Sequence, residues 1–316
     1  MRQVSGTVLL AGLALLGLAS CQVAVPDPAL APSPRPRMSA PDNPPPPGPA
    51  SAEIARHFAQ VQADLLSRGL LRTDGGGKDA PFSQRAVVDN FIRIALYDEY
   101  VSESGKLVAR QTESRLRRWE TPIRMGLVFG PSIPAAQQAR DRVAVTAYAR
   151  RLSRLTGHPI QITAPENANF HVLILNEDER RDFAPELQRL VPGIAPSAAR
   201  MITDVPRSTF CLVLAFSKGE SASYSRAVAL IRGEHPDRMR RSCIHEELAQ
   251  GMGLANDSPL ARPSIFNDDE EFSLLTPHDE LLLQILYDRR LSPGMTPAAA
   301  RPIVETIAAE LMGGES

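Results

Sequence analysis

The chain has 316 residues, with 35 Lys and Arg against 36 Asp and Glu, a formal net charge of -1. That balance supplies no basic field and argues against nucleic acid as a partner. Apolar residues at 43% are enough for a packed core and exclude global disorder, while aromatics at 5% argue against a stacking platform for sugars or bases. The one long hydrophobic run lies at the extreme N-terminus, which excludes a polytopic membrane protein.

That run comes first in chain order. Arg2 gives a short positive start, and Val8 to Leu18 is apolar but too short to span a bilayer comfortably. It ends in Leu18-Ala19-Ser20-Cys21, which resembles the lipobox of bacterial lipoproteins. The resemblance implies a signal peptide over residues 1–20 and lipidation of Cys21. The plainer alternative is a secretory signal with an incidental Cys21. Several acyl chains on one residue would give stable attachment. Gln22, where some bacteria place an Asp to retain lipoproteins in the inner membrane, suggests an outer-membrane anchor facing the periplasm. Residues 21–50 carry 11 prolines between Pro26 and Pro49, a composition that extends as polyproline II and builds no core. They read as a tether.

Setting Cys21 aside for lipidation leaves Cys211 and Cys243. Export and even parity point to a disulfide between them, with two buried thiols as the alternative.

Residues 51–316 read as one globular domain. Ile54, Phe58, Val61 and Leu65 have helical spacing, as do Val87, Phe91, Ile94 and Ala95 after a Ser83 cap. Trp119 to Phe129 reads as a strand with Pro122 near its start, and a long helix follows from Ala135 to Leu155, stopped by Gly157. Strands are expected near Ile160 to Ile162, Phe170 to Leu175, around Cys211, and at Ala227 to Ile231. The stretch with Pro185, Pro192 and Pro196 reads as loop-rich and partly helical. A helix should open near Ser242 and close at Gly253, and a last one should begin at Thr276-Pro277. The fold class is therefore α+β: a mixed twisted sheet with a long helix before it and an active-site-like helix after it, plus helices at the N-terminus.

Ile244-His245-Glu246-Glu247-Leu248-Ala249-Gln250-Gly251-Met252-Gly253-Leu254-Ala255-Asn256-Asp257 resembles the active-site helix of a metzincin peptidase with its metal ligands changed. In that pattern, H-E-x-x-H-x-x-G-x-x-H or D, residues four apart share a helix face and grip one zinc. With Gly253 as the pattern's Gly, Glu246 and Gln250 take the first two ligand positions, Glu247 the general-base position and Asn256 the third ligand position, with Asp257 one residue further on. A register starting at His245 would put Ala249 in a ligand position, so it is rejected. Ser264-Ile265-Phe266-Asn267 resembles the Met-turn, which implies Phe266 beneath the cluster. Ser273 to Asp279, with Ile285-Leu286-Tyr287, resembles the closing helix of matrixin-like peptidases. A more specific resemblance links Phe91 to Ala95, Arg118 to Ile123, Glu246 to Gln250 and Asn256-Asp257 to the proteobacterial domain-of-unknown-function family numbered 2927, over about residues 82–295. Predicted lipoproteins occur in that family.

These resemblances imply an envelope lipoprotein whose metzincin-like domain has lost its zinc ligands. It would bind an envelope protein, peptide or glycan, or serve as a scaffold, with no metal and no cofactor. The alternative is a hydrolase with Glu247 as general base and an unusual metal or none. Asp268 to Glu271 read as a solvated acidic loop, and His278 as exposed in the first turn of its helix.

Overall fold

The computed structural model describes residues 44–103 and 106–313. The signal-like segment, Cys21 and most of the proline-rich stretch lie outside the described residues. Two helices open the domain, α1 (Pro49–Ser67) and α2 (Gln84–Leu96), the second capped by the Ser83 hydroxyl. They are followed by an antiparallel hairpin, β1 (Tyr97–Glu103) and β2 (Lys106–Glu113). The sheet then begins with β3 (Arg118–Trp119) and β4 (Ile123–Phe129), and Pro122 falls in the gap between them. The long helix α3 (Ala135–Thr156) stops at Gly157, whose left-handed φ of 67° suits glycine. Next come β5 (Ile160–Thr163) and β6 (Phe170–Leu175), then three short helices, α4 (Glu177–Arg181), α5 (Ala184–Leu190) and α6 (Pro196–Thr203). Strands β7 (Cys211–Ser217) and β8 (Ser223–Arg232) lead into α7 (Asp237–Gln250). Helices α8 (Pro277–Leu286) and α9 (Pro297–Leu311) follow.

The sheet runs β5-β4-β6-β8-β7, with β3 paired to the first residues of β8. All pairings are parallel except β7 on β8, so the architecture is α+β with a mostly parallel sheet and one antiparallel edge. Side-chain alternation explains the layering. On β6, Phe170, Val172 and Ile174 enter the large core, and Leu173 and Leu175 enter a smaller one. On β8, Ala227, Ala229 and Ile231 go one way, Val228 and Leu230 the other. The large core is closed by Val145, Tyr148 and Leu152 of α3, Ile244 and Leu248 of α7, and Leu282 and Leu286 of α8. The smaller core is closed by Leu187 of α5 and Ile202 of α6. A third cluster seats Ile54, Phe58 and Leu65 of α1 against Leu71 and Met239. Fully burying one such aliphatic side chain contributes about 1.5–3 kcal/mol.

Several boundaries depart from the sequence reading. Helix α7 opens at Asp237, five residues before Ser242, because Pro236 can precede a helix and Met239 docks on α1. The last strand is ten residues long, since Ser223 to Arg226 still pair with β3 and β7 although their side chains are polar. His278 is fully buried, in correction of its expected exposure: the Thr276–Asp279 capping box fixes the first turn and His278 Nε2 meets Asn90 Nδ2 at 3.2 Å. No helix among the described residues is long and apolar enough to cross a membrane.

Candidate functional site

Helix α7 carries the expected cluster, and its place is fixed from both ends. At its start, buried Arg240 reaches both oxygens of Asp141 on α3 at 2.9 and 3.0 Å. One turn later, Cys243 is bonded to Cys211 of β7, with Cα atoms 5.8 Å apart, so the expected disulfide forms. At its C-terminal end Trp119 Nε1 donates to Gly251 O at 2.8 Å, and Tyr287 Oη donates to Met252 O at 2.9 Å. Gly253 then turns with φ 129°, and a Cβ there would collide with Arg117 O, so the sharp turn requires glycine.

Beyond that turn the chain folds back. Gln250 Nε2 donates to Asp257 Oδ1 at 3.3 Å, which brings together the two residues that the chosen register places at the cleft. Asn256 is buried, but its amide is spent elsewhere: Nδ2 donates to Arg93 O at 3.1 Å and its backbone N–H to Ile94 O at 3.1 Å. It pins the turn to the end of α2. Ser258 Oγ continues that tie to Asn90 at 3.1 Å, and Asn90 leads on to His278. Phe266 is fully buried in the same core as Leu248 and Met252. The loop around it is held by Asp279, which accepts from Ser264 Oγ, Ile265 N and Thr276 Oγ1.

Glu246 and Glu247 lie next to the disulfide. A carboxylate oxygen from each and Cys211 Sγ all fall within 4.8 Å of one another. Glu247 is 2% exposed and Glu246 half-buried. Burial pushes the Glu246 carboxyl well above the usual carboxylate range, and the charges of Glu247, Asp257, Glu270 and Asp268 push it further. Glu270, in a left-handed conformation at φ 59°, is raised to about 7 by burial and by Asp268 and Asp269. Part of the loop expected to be merely solvated therefore adds to the acidic field. Asp268 and Asp269 are exposed as expected, and Glu271 is bound by Arg262 at 2.6 Å and Arg72 at 2.9 Å. The approach of Glu270 and Asp268 was invisible in sequence; their run of four acids was the one available signal.

His245 points to a different task. Its ring stacks on Tyr148 at 4.0 Å, and Nδ1 accepts from Leu275 N at 3.0 Å. Burial, and then the charges of Arg151 and Arg241, lower it to about 3, so it is neutral and structural. Cys211's sulfur is already bonded. A cation here would meet carboxylate and amide oxygens, which suit a hard ion better than zinc. Chemically, the arrangement can hold a proton on one carboxyl near neutral pH while its neighbours accept hydrogen bonds or balance a positive charge.

A search of curated proteins and a search of solved structures both find no match. A family model matches residues 84–306, which take in everything from α2 to the middle of α9, the acidic cluster and the disulfide included. The chain belongs to the family described as Protein of unknown function (DUF2927).

Proposed function

We propose that the chain is an envelope lipoprotein whose domain binds a ligand in the Glu246–Asp257 cleft and holds no catalytic zinc. The observation that carries this reading is the crowding at Glu246: of the residues in the positions of a metzincin's ligands only Glu246 is a carboxyl, Gln250 and Asn256 being amides, and burial with the charges of Glu247 and Asp257 pushes that carboxyl well up. The element order of strand, long helix, further strands, helix and glycine turn supports the metzincin-like reading. Zinc prefers nitrogen and sulfur donors, so this set favours a ligand bearing cationic or hydrogen-bond-donating groups. Strand β7 adds a second recognition element. It carries Cys211 beside Glu246, and among the described residues it pairs only with β8. A free strand edge offers main-chain hydrogen bonds to an extended peptide. A peptide with Lys or Arg side chains fits both features.

Protein purified without chelator should contain far less than one zinc per chain and should bind Lys- or Arg-containing peptides, with affinity lost in Glu246→Gln and Glu247→Gln. Stoichiometric zinc that disappears in Glu246→Ala would overturn the reading. The lipoprotein part has its own check: a fatty-acid analogue should label the wild type and miss Cys21→Ser, and equal labelling of both would refute it.

The same crowding favours a second reading, a hydrolase. Two adjacent carboxyls, one of them raised by burial and by its neighbour's charge, can serve as an acid–base pair, with Glu246 as proton donor and Glu247 as general base. Turnover of a peptide that vanishes in Glu247→Gln would select this reading.

A further inference from the structure

The acidic cluster uses one side of α7. By the 100° advance per residue, Asp237, Arg238 and Arg241 lie on the opposite side, near the start of the helix. There they line a hollow of about 170 Å³, together with Thr73, Ser273 and Leu274. The loops that complete it are tied down: Leu71 N donates to Glu270 O at 2.8 Å and Ser273 N to Arg72 O at 2.8 Å.

We propose that this hollow is a binding site for a small phosphate-class oxyanion, separate from the acidic cleft. Arg238 is pre-positioned, since Nη1 donates to Leu71 O at 3.2 Å and leaves its remaining N–H groups available. Arg241 is exposed, and among the described residues no carboxylate lies within ion-pair distance of it. Arg72 nearby is by contrast paired, with Asp74, Asp79 and Glu271. Two arginines one turn apart on α7 line the same hollow, and guanidinium groups donate paired N–H bonds to oxyanions. Thr73 also lines the hollow, and a threonine hydroxyl is able to donate. The Ser273 hydroxyl is already used on Leu71 O and Arg72 O. The positive end of α7 faces the same region, and Pro236 at its cap position brings no side-chain acceptor.

Asp237 is the opposing feature. Its carboxylate lines the hollow, but it is held by Arg240 at 2.5 Å and lies 3.6 Å from Arg140. Its charge is thereby partly balanced, so it weakens an anion site without abolishing it.

The test is calorimetric titration of the intact chain with inorganic phosphate at constant ionic strength, with chloride as the control anion. Saturable one-site binding is expected. Arg241→Ala should weaken it by about tenfold, the size of one lost charge-assisted contact, and Arg241→Lys should restore part of it. Asp237→Asn should tighten binding by about threefold, by removing a like charge. Thermal melts of each variant confirm that it is folded. Glycerol 3-phosphate, run in parallel, identifies the source: tighter binding than phosphate points to a lipid headgroup, and equal binding to a free anion. Affinity unchanged in both Arg241→Ala and Arg238→Ala, or equal heat with chloride, would overturn the proposal. Because the acidic cleft is untouched by these variants, peptide binding there succeeds or fails independently.

Discussion

Two glutamates in this domain, one buried and one half-buried, meet opposite fates. Glu177, at the start of α4, is 5% exposed and sits among three arginines: Arg180 at 2.7 Å, Arg232 at 2.8 Å and Arg181 at 2.8 Å. Burial alone would raise its pKa, but the hydrogen bonds and charges of those arginines outweigh burial and hold it below the usual carboxylate range. Glu246 is surrounded by carboxylates, and its pKa goes up, by burial first and then by Glu247 and Asp257. The contrast separates structural acids from a candidate site. Around Glu177 the neighbours complete the charge. Around Glu246 they leave a demand that a proton, or a cationic ligand, would satisfy.

The largest expected effect breaks the first half of this comparison. Glu177→Gln strands Arg180 and Arg232, which are 2% and 1% exposed, without their counter-charge. It should destabilise the fold by about 3 kcal/mol, measured by urea denaturation. A loss below about 1 kcal/mol would place this pair among weak surface-type bridges. Next in size is the disulfide. Joint replacement of Cys211 and Cys243 by Ala opens a link between residues 32 apart and should cost about 2–4 kcal/mol. It should also loosen the Glu246 corner and spare the Glu177 corner, which hydrogen exchange can resolve by region.

The smallest effect sharpens the contrast. A carboxyl whose folded pKa is raised binds its proton more tightly in the native state than in the unfolded one. Stability from it is therefore present at low pH and lost as pH climbs from the ordinary carboxylate range through the folded value. Glu246 and Glu270, the latter at about 7, both act in this sense. Glu177 acts in the other, its contribution being lost as pH falls. Glu246→Gln should thus be more stable relative to wild type at alkaline pH than at mildly acidic pH. Parallel curves for the two proteins would remove Glu246 from the account.

How much of this was legible in the sequence depends on how local each cause is. The spacing of Glu246, Glu247, Gln250 and Gly253 could be read directly, because one helix turn places them. The return of Asp257 followed from Gly253, whose φ no other residue adopts easily. The diversion of Asn256 to Arg93 O could not be read, because it depends on where α2 ends in space. The same holds for the approach of Glu270. In the fold, the buried strands announced themselves by apolar runs. The hairpin of β1 and β2 did not, because Tyr97 to Glu113 is largely polar. Helix α9 was missed because Pro302 lies inside it and reads as a breaker. Ala300, Val304, Ile307 and Ala308 carried its periodicity, and the Thr296 cap marked its start.

The central claim is that burial and the neighbouring carboxylates raise the pKa of Glu246 well above the ordinary carboxylate range. Carbon-13 NMR of protein labelled at the glutamate carboxyl reads this directly. One resonance, absent in Glu246→Gln, is expected to titrate well above the exposed glutamates and to move toward the ordinary carboxylate range when Glu247→Gln removes a neighbouring charge. A Glu246 resonance that titrates with the exposed glutamates, unmoved by Glu247→Gln, would contradict it.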